Sequence, residues 1–309
     1  MELYDIIIIG GGPAGLTAGI YAGRAQLKSL LFTGSPPGGQ LMLCEAIEDF
    51  PGFPEKLSGP ELLEKITTQA KKFGTEILDK NIISVDFKKR PFTVKTHEGK
   101  EYLSKAIIIA TGASNKWLGL EREKELIGRG ISVCAICDGF FFKNKTVAVV
   151  GGGDSAIKNA ITLTKYAEKV FIIHRRDSLR ASKRNQEQVL NHPKIEIIWD
   201  SIITGLKGDS FLNGINIKNV KTNQEKLLEV SGLFLSIGYQ PNTDIFKRQI
   251  ELNEDDSIKI HENTKTSIQG VFAAGDVCDA KYKQAITAAS WGAKALIDAD
   301  KWLAEQESN

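Results

Sequence analysis

The chain carries one glycine-rich loop twice, and in both places the loop follows a short run of apolar, mostly β-branched residues. The first loop, Gly10–Gly15, begins at the last residue of the run Tyr4–Gly10. The second loop, Gly151–Ala156, follows the run Thr146–Val150. In such a loop the first glycine permits a tight turn, the second lets a pyrophosphate approach the backbone, and the third position must be small so that helix packs on strand. Free N–H groups at the start of the next helix then face the phosphates. The sequence therefore predicts two dinucleotide-binding βαβ units.

Strand and helix patterns alternate around both loops, which predicts an α/β fold with parallel sheets. In the first part of the chain the patterns predict strands Tyr4–Gly10, Ser29–Thr33, Ile82–Asp86, Phe92–Thr96 and Lys105–Ala110, helices Pro13–Arg24 and Pro60–Gly74, and a loop over residues 36–59. In the remainder they predict strands Thr146–Val150, Lys169–Ile173 and Val271–Ala274, a helix Asp154–Tyr166 and a last helix from Gln284.

Composition limits the classes of partner. A chain of 309 residues is about twice the usual domain length, so two domains are expected. Lys and Arg (40) nearly balance Asp and Glu (38), which argues against nucleic acid or an anionic membrane as a partner. No apolar run is long enough to span a membrane, and residues 1–5 do not resemble a signal peptide. Four cysteines are too few for a structural disulfide framework, so we expect a cytoplasmic protein.

Cys134 and Cys137 are separated by two residues and are followed directly by Asp138. This spacing suits a reversible disulfide, because one turn of backbone brings the two sulfurs together. Zinc would need two further ligands, and there is neither a second CxxC nor a local pair of histidines; two inert buried thiols are the other alternative. Asp138 is placed to move a proton during thiol exchange or, alternatively, to cap a helix. Cys44 and Cys278 are single, and we interpret them as small buried hydrophobic residues.

The two nucleotide sites differ at the end of their second strand. The first has Phe32-Thr33-Gly34 where an acidic ribose partner is expected, so that hydrogen bond must come from elsewhere. The second has His174, Arg175 and Arg176, and then Arg180. Guanidinium groups at this place suit the 2′-phosphate of NADPH rather than the ribose of NADH. The alternative is a solvated basic face, since Lys183 and Arg184 continue the run; His174 itself is expected to be a packing or edge residue.

Together these features resemble the low-molecular-weight thioredoxin reductases, and the resemblance runs nearly end to end. The motifs that follow the family's order are Gly10–Gly15, Gly38–Leu41, Ala110–Ser114, Cys134–Gly139, Gly151–Ala156, His174–Asp177 and Phe272–Asp276. The position of the dithiol inside the nicotinamide-nucleotide domain is specific to this branch of the disulfide reductases.

The resemblance implies a homodimer of an α/β protein with two Rossmann-like nucleotide-binding domains of the FAD/NAD(P)-binding, three-layer ββα type. FAD is expected in a domain formed by residues 1–114 and 241–309, and NADPH in a domain of residues 115–240 that carries the dithiol. The implied activity is thioredoxin-disulfide reduction, with electrons passing from NADPH through FAD to the Cys134–Cys137 disulfide and then to thioredoxin. Cys137 is implied to face the flavin and Cys134 to attack thioredoxin, with a domain rotation hinged near Asn115 and Gln240–Pro241.

The predicted cofactor contacts combine the two loops with the residues that the resemblance supplies. For FAD they are Gly10, Gly12, Pro13, Ala14, Gly15, Gly39, Gln40, Thr111, Gly112, Gly275, Asp276, Lys283, Gln284 and Ala285. For NADPH they are Gly151, Gly153, Asp154, Ser155, Ala156, His174, Arg175, Arg176 and Arg180. Asp276 is implied to bind the ribityl chain of the flavin. Lys283 replaces the family's usual arginine, and Asp49 replaces its usual asparagine.

Two other functions agree with the same residues. One is a related flavin reductase that serves another acceptor, such as a peroxiredoxin-type or thioredoxin-like carrier. The other is a nucleotide-binding redox sensor whose disulfide sets its conformation without turnover. The ferredoxin-type relatives of this fold lack the CxxC pair, so the dithiol argues against them.

Overall fold

The computed structural model describes residues 2–44 and 46–307. The chain divides into two compact units: the first consists of Met1–Ser114 and Gln240–Asn309, and the second of Asn115–Tyr239. The first unit is therefore built from both ends of the chain, and the second is one continuous segment inserted between them.

The helices and strands occur in the following order. The strands are β1 (Leu3–Ile9), β2 (Ser29–Phe32), β3 (Glu76–Leu78), β4 (Ile82–Asp86), β5 (Phe92–Thr96), β6 (Glu101–Ile109), β7 (Ala113–Asn115), β8 (Ile131–Ser132), β9 (Thr146–Val150), β10 (Lys169–Ile173), β11 (Ile195–Ile198), β12 (Ser201–Lys207), β13 (Gly214–Asn219), β14 (Glu225–Glu229), β15 (Gly232–Leu235), β16 (Tyr239–Pro241) and β17 (Val271–Ala273). The α-helices are α1 (Pro13–Arg24), α2 (Gly59–Lys72), α3 (Ala135–Asp138), α4 (Asp154–Leu163), α5 (Lys183–Leu190) and α6 (Ala285–Glu307). Short 3-10 turns cover Gly39–Leu43, Gly139–Phe142, Asp244–Phe246 and Gly275–Val277.

The first unit is built on a sheet in the order β3-β2-β1-β6-β5-β4, with β17 also paired to β6. β6 is long enough to pair at its start with β5, antiparallel, and at its end with β17, parallel. β1, β2, β3 and β6 are parallel to one another. Helices α1 and α2 connect the first three of these strands, as parallel pairing requires, and β6 is reached through the antiparallel strands β4 and β5. The carboxyl ends of these strands, where ligands bind in such sheets, therefore lie along one edge.

Alternate residues of β1 face two different cores. Ile6 and Ile8 pack with α1, α2 and α6 on one side of the sheet. Ile7 and Ile9 pack on the other side with residues of β4 and β5 and of the segment after β16, such as Phe246. Because both faces of a parallel strand are covered, its sequence is a continuous apolar run and not an alternating one. The unit thus has helices on one face of the sheet, while residues of β4 and β5 of the same sheet and of the segment after β16 cover the other face of β1.

The second unit repeats the plan around a parallel sheet in the order β11-β10-β9-β15-β8. The same unit contains a second sheet, which consists of the antiparallel strands β12, β13 and β14. Val147 and Val149 of β9 pack with α4, whereas Ala148 and Val150 pack with Ile203 and other residues of the antiparallel sheet. The predicted α/β fold with Rossmann-like units is therefore confirmed.

Some predicted bounds are wrong. The helix predicted to reach Tyr166 ends at Leu163, after which the chain turns through bonds from the Tyr166 and Ala167 N–H groups to the Leu163 carbonyl. β6 begins at Glu101, four residues before the predicted start, because its first half pairs with β5 although it is polar. The helix predicted over 60–74 spans 59–72. The predicted loop 36–59 contains the 3-10 turn Gly39–Leu43.

Candidate functional site

The dithiol lies at the start of α3, just after the edge strand β8. Cys134 and Cys137 form a disulfide with their Cα atoms 5.4 Å apart, as their spacing predicts. Cys134 is the N-cap residue of α3, and its Sγ accepts a hydrogen bond from the Cys137 N–H at 3.2 Å. The Cys134 N–H in turn donates to Ser132 Oγ at 3.0 Å. Both cysteines are partly exposed, so another thiol can reach them.

The Asp138 carboxylate is held beside the dithiol. It accepts a hydrogen bond from Ser132 Oγ, and the Asp138 N–H donates to the Cys134 carbonyl at 3.1 Å. Asp138 precedes the turn Gly139–Phe142, but its side chain makes no cap hydrogen bond to that turn. Asp138 is thus the N-cap residue of that turn by position, without a capping hydrogen bond from its side chain. Ser132 instead connects the carboxylate to the backbone of Cys134.

Three apolar side chains around the dithiol are exposed to solvent. Ile136 is 67% exposed, Phe140 is 59% exposed and Phe141 is 41% exposed. Phe140 makes an edge contact with Tyr166, with ring centroids 6.2 Å apart. Of the three consecutive phenylalanines only Phe142 is buried. The exposure of at least one phenylalanine could have been predicted, because three adjacent aromatic side chains cannot all point into one core.

The first glycine-rich loop has the geometry that its fingerprint requires. Gly10 has φ +125°, and a Cβ there would lie 2.1 Å from the Ala110 carbonyl oxygen. A Cβ at Gly15 would lie 1.8 Å from the Gly10 carbonyl oxygen, so α1 can pack on β1 only with glycine at this position. At Gly12 a Cβ would meet no atom within 4 Å. The loop is therefore closed where the chain packs on itself and open where a pyrophosphate would approach.

The segment that follows β17 approaches this loop. A Cβ at Gly275 would lie 2.9 Å from the Ala14 Cβ, and one at Gly292 would lie 2.0 Å from the Ala14 carbonyl oxygen. The Ala274 N–H donates to the Ile109 carbonyl. The structure thus brings Gly10–Gly15, the end of β6 and Gly275 to one edge of the sheet, as predicted for one cofactor site.

Asp276 is a mostly buried carboxylate at this edge. Burial, and next the nearby Asp279, raise the pKa of Asp276 to about 6, although the Lys283 amine opposes the shift. Lys283 has φ +51°, and burial lowers its pKa against the attraction of Asp276, Asp255 and Asp279. A carboxylate in these surroundings fits a ligand that donates hydroxyl groups.

The remaining predicted flavin contacts lie on segments held in place by hydrogen bonds or by packing. Thr111 Oγ1 donates to the Asn242 carbonyl at 2.8 Å, and Asn242 Nδ2 donates to the Thr111 carbonyl at 2.9 Å. Gly112 and Gly39 both have positive φ, and a Cβ at either would meet no atom within 4 Å. Gln40 follows Gly39 in the 3-10 turn that packs against α2. Gln284 directly precedes α6, and its N–H donates to Thr287 Oγ1 at 3.2 Å.

The structure supplies a carboxylate near the end of β2, where the sequence has none. Thr33 Oγ1 donates to the Asp79 Oδ1 at 2.6 Å. Asp79 is exposed and follows β3, the neighbour of β2 in the sheet. Asp79 could not be predicted from the fingerprint, because the fingerprint places an acid at the end of the second strand and this acid follows the adjacent strand.

The second glycine-rich loop repeats the geometry of the first. Gly151 has φ +144°, and a Cβ there would lie 2.4 Å from the Ser236 carbonyl oxygen and 2.9 Å from the Ala156 Cβ. At Gly153 a Cβ would meet nothing within 4 Å. Asp154, predicted as a cofactor contact, starts α4 and uses its carboxylate to accept bonds from the N–H and Oγ of Ser182, the N-cap residue of α5. Ser155 follows Asp154 and is exposed.

The arginine segment is joined to this loop by its backbone. The Arg180 N–H donates to the Gly152 carbonyl at 2.7 Å, and the Arg176 carbonyl accepts from the Asp200 N–H at 3.2 Å. The side chains of Arg175, Arg176 and Arg180 are exposed. The segment is thus fixed beside the loop while its guanidinium groups remain accessible to an anion.

His174 is buried, at 4% exposure, between the second loop and Trp199. Its Nε2 is 2.9 Å from the Ser178 carbonyl, to which the neutral tautomer with a proton on Nε2 donates. Burial lowers the pKa of His174, and the charges of Arg180, Arg176 and Arg175 lower it further, although the bond to Ser178 opposes them. The ring packs over Gly152, where a Cβ would lie 2.2 Å from it.

The two other cysteines are partly rather than fully buried. Cys44 packs against the core of α1, α2 and α6, and Cys278 packs against the core on the other side of the same sheet. Burial is the main reason why the pKa of the Cys278 thiol is raised to about 12. Within residues 2–44 and 46–307, no group of three His, Cys, Asp or Glu side chains could hold a metal ion. In the same part of the chain, no helix is long and apolar enough to cross a membrane.

Comparison with known proteins agrees with this site. The sequence profile described as "Pyridine nucleotide-disulphide oxidoreductase" matches residues 4–292. The chain is 48% identical to the thioredoxin reductase of Rickettsia prowazekii over 302 residues, which cover 96% of this chain and 97% of the relative. It is 45% identical to the thioredoxin reductase of Streptomyces coelicolor over 305 residues, 98% of this chain and 95% of the relative. The solved structure of thioredoxin reductase from Giardia duodenalis matches with a TM-score of 0.93 at 44% identity, and covers 98% of this chain and 100% of that one.

Proposed function

The chain belongs to the pyridine nucleotide-disulphide oxidoreductase family, and we propose that it is an NADPH-dependent, FAD-containing thioredoxin-disulfide reductase. One observation carries the proposal: an accessible Cys134–Cys137 disulfide stands in a chain that has two complete dinucleotide-binding loops. One loop suits a flavin dinucleotide, the other suits the nicotinamide donor, and the disulfide is the group that exchanges with another protein.

The first unit, residues 1–114 and 240–309, is proposed to hold FAD. Its loop leaves open space at Gly12, and the start of α1 offers N–H groups and the positive end of a helix dipole to the pyrophosphate. The Asp276 carboxylate is proposed to accept hydroxyl groups of the ribityl chain. Asp79, held by Thr33 near the end of β2, is proposed as the acidic partner of the adenosine ribose. When bound, FAD accepts hydride and delivers electrons to a disulfide.

The second unit, residues 115–239, is proposed to hold NADPH. Gly153 leaves open space at the start of α4, and the Arg180 backbone is bonded to the same loop. Exposed Arg175 and Arg176 at the end of β10 supply planar donors that match the geometry of a phosphate. The 2′-phosphate is therefore proposed to lie on these guanidinium groups. His174, buried and mostly neutral, would support the segment by packing rather than by charge.

Exchange with the acceptor requires only the two sulfurs and a route for protons. In the reduced state, the Cys134 thiolate attacks the acceptor disulfide, forming a mixed disulfide and releasing one acceptor thiolate. The Cys137 sulfur then attacks Cys134, which restores the intramolecular disulfide and releases the second acceptor thiolate. Two electrons leave the enzyme, and two protons are taken up by the acceptor thiolates. Asp138, held by Ser132 beside the pair, is proposed to relay a proton.

A protein acceptor is favoured by the surface around the dithiol. Ile136, Phe140 and Phe141 are exposed close to Cys134 and Cys137 in sequence, and their burial by a partner would stabilise a docked complex. A small disulfide could not cover three large side chains. By resemblance to the thioredoxin reductases we also propose a cytoplasmic homodimer.

Steady-state oxidation of NADPH, with and without thioredoxin, tests the proposal. We expect the rate to rise at least tenfold when oxidised thioredoxin is added and to stay low with NADH. Turnover with another thioredoxin-like carrier but not with thioredoxin would favour a reductase of a different acceptor. A flavin that NADPH reduces, without turnover of any disulfide protein, would favour a redox sensor instead.

A further inference from the structure

The arginine segment of the second unit is accompanied by two carboxylates. Asp177 directly follows Arg176 and is exposed. Asp200 donates its N–H to the Arg176 carbonyl and is therefore held against the same segment. Because an anion bound to Arg175 and Arg176 would be repelled by both acids, this is an unfavourable place for two free carboxylates.

Lys221 forms an ion pair with each of them. Its Nζ lies 3.0 Å from the Asp177 Oδ2 and 3.1 Å from the Asp200 Oδ2. Hydrogen bonds first to Asp177 and then to Asp200 raise the pKa of Lys221, so the amine stays protonated at neutral pH. One lysine thus occupies the acceptor oxygens of two acids that flank the proposed phosphate site.

Lys221 is held in this position by the fold of its hairpin. It lies in the turn between β13 and β14, where Asn219 Oδ1 accepts the Lys221 N–H at 3.0 Å and the Thr222 N–H at 2.9 Å. The preceding Val220 N–H donates to the Asp200 carbonyl at 2.6 Å. The hairpin is therefore fixed to the Asp200 backbone, which holds Lys221 close to its two carboxylate partners.

We propose that Lys221 is a positioning residue for NADPH selectivity: it occupies the Asp177 and Asp200 carboxylates and so leaves Arg175 and Arg176 available to the 2′-phosphate. Without it, the two carboxylates compete with the phosphate for the guanidinium groups. This inference rests on the proposed binding of NADPH to the second unit. The exposed ion pairs of Lys221 are expected to affect the choice of ligand, although such pairs contribute little to stability.

The test is Lys221→Met in the full-length flavoprotein, measured with NADPH and with NADH. At low salt we expect the KM for NADPH to rise roughly three- to fivefold, with the KM for NADH and both kcat values unchanged. The difference should shrink at 0.5–1 M salt, roughly, because charges are screened there within a few ångströms. Lys221→Arg should retain the wild-type KM, since a guanidinium reaches the same two carboxylates.

Two further variants separate this effect from a general loss of positive charge. Lys218 lies on the same hairpin and pairs with Glu225 at 3.9 Å, away from Asp177 and Asp200, so Lys218→Met should keep the wild-type KM for NADPH. Asp177→Asn introduced into Lys221→Met should restore most of the lost affinity, because it removes one competing acid.

Equal changes with NADPH and NADH, an equal effect of Lys218→Met, or no rescue by Asp177→Asn would overturn the inference. Its failure is distinguishable from failure of the proposed function. A wild-type enzyme without preference for NADPH contradicts the cofactor assignment itself. A wild-type preference that Arg175 and Arg176 variants abolish, but Lys221→Met does not alter, contradicts only the role of Lys221.

Discussion

The two glycine-rich loops have nearly the same backbone and different surroundings. In both, the first glycine has a large positive φ, the second faces open space, and the third position touches the first. In both, the residue between the first two loop positions packs against the residue that follows the second strand. Gly11 packs against Thr33, and Gly152 packs against His174. The shared geometry serves what all dinucleotides have in common, the pyrophosphate. The residues after the second strand carry the differences.

Those differences are electrostatic. After β2, a neutral threonine holds the Asp79 carboxylate, and the acid at the nearby loop, Asp276, is mostly buried with a raised pKa. After β10, exposed arginines follow, and the acid at that loop, Asp154, is exposed with a pKa lowered by bonds from Ser182 and Asn185. A fold duplicated within one chain can thus serve two nucleotides by changing charge and burial around a fixed loop.

The largest expected effect separates the functions of the two units. Cys134→Ser and Cys137→Ser should each lower thioredoxin reduction by at least about 10³-fold, because one sulfur can neither accept two electrons as a disulfide nor resolve a mixed one. Hydride transfer from NADPH to the flavin should remain, since it needs both loops but not the dithiol. Stopped-flow absorbance of the flavin and steady-state turnover measure the two steps separately.

Cys44→Ser and Cys278→Ser are the matched controls, because both thiols lie outside the disulfide and pack against the cores of the first unit. They should keep nearly full turnover. Loss of turnover in either variant, with its flavin content intact, would contradict the assignment of the redox pair.

Substitution at the third loop position should destabilise the first unit more than the second. Gly15→Ala puts a Cβ 1.8 Å from the Gly10 carbonyl oxygen, so we expect a loss of about 3 kcal/mol of stability together with loss of flavin. Ala156→Gly only removes a buried methyl group and should cost about 1 kcal/mol. Urea unfolding and the ratio of flavin to protein absorbance check both. Similar losses in the two variants would show that the loops are not packed differently.

The arginines should distinguish the nucleotides. Arg175→Gln/Arg176→Gln should raise the KM for NADPH about 30-fold, or about 2 kcal/mol, because charge-assisted bonds to a phosphate are lost. The KM for NADH should change little. Lys183→Gln/Arg184→Gln, at the exposed start of α5, removes the same charge nearby and is the control. If that control weakened NADPH binding equally, the alternative of a general basic surface would be correct.

The smallest expected effect is a change in the pH dependence of stability when Asp276 or Asp154 is replaced. The folded-state pKa of Asp276, about 6, lies above its unfolded value of 3.8, so its protonated form is favoured in the native protein. In the flavin-free protein, this contribution to stability is present below pH 3.8 and is lost as the pH rises through 6. Asp276→Asn should therefore be more stable than wild type by about 1–2 kcal/mol at pH 7.5 and equal to it near pH 4.

Asp154→Asn is the control of opposite sign, because the lowered pKa of Asp154 gives stability above its unfolded pKa that is lost as the pH falls. It should not be more stable than wild type at pH 7.5. Urea titrations of the flavin-free proteins at several pH values measure both differences, and stabilisation by both variants would refute the contrast.

Much of the fold follows from local patterns. Continuous apolar runs such as Ile6–Ile9 predict strands buried on both faces, and glycines at fixed offsets predict their turns. The sheet of β12, β13 and β14 was not predicted, because β14 is mostly exposed and is stabilised by pairing with β13. The start of β6 was missed because its polar residues Glu101 and Ser104 interrupt the apolar run, and pairing with β5 extends the strand over them.

The candidate site also contains features that the local sequence predicts and features that it does not. The pairing of Cys134 with Cys137 is a local property and could be predicted from their spacing. The bond from Arg180 to Gly152, the capping of α5 by Asp154 and the approach of Asp79 to Thr33 join segments that are 28 to 46 residues apart. Such contacts depend on how the strands are ordered in the sheet, which no local pattern of residue types specifies.

The discontinuous first unit has a consequence for the order in which a newly made chain can fold. β6 lacks its partner β17, and α1 lacks the cover of α6, until almost the whole chain has been synthesised. The second unit is a continuous segment, and all its strands are available earlier. We therefore expect the inserted unit to reach its native state first, although the ribosome begins with the other. Nascent chains arrested before Val271 emerges should contain a protease-resistant second unit, while the apolar faces of β6 and α1 stay open to chaperones.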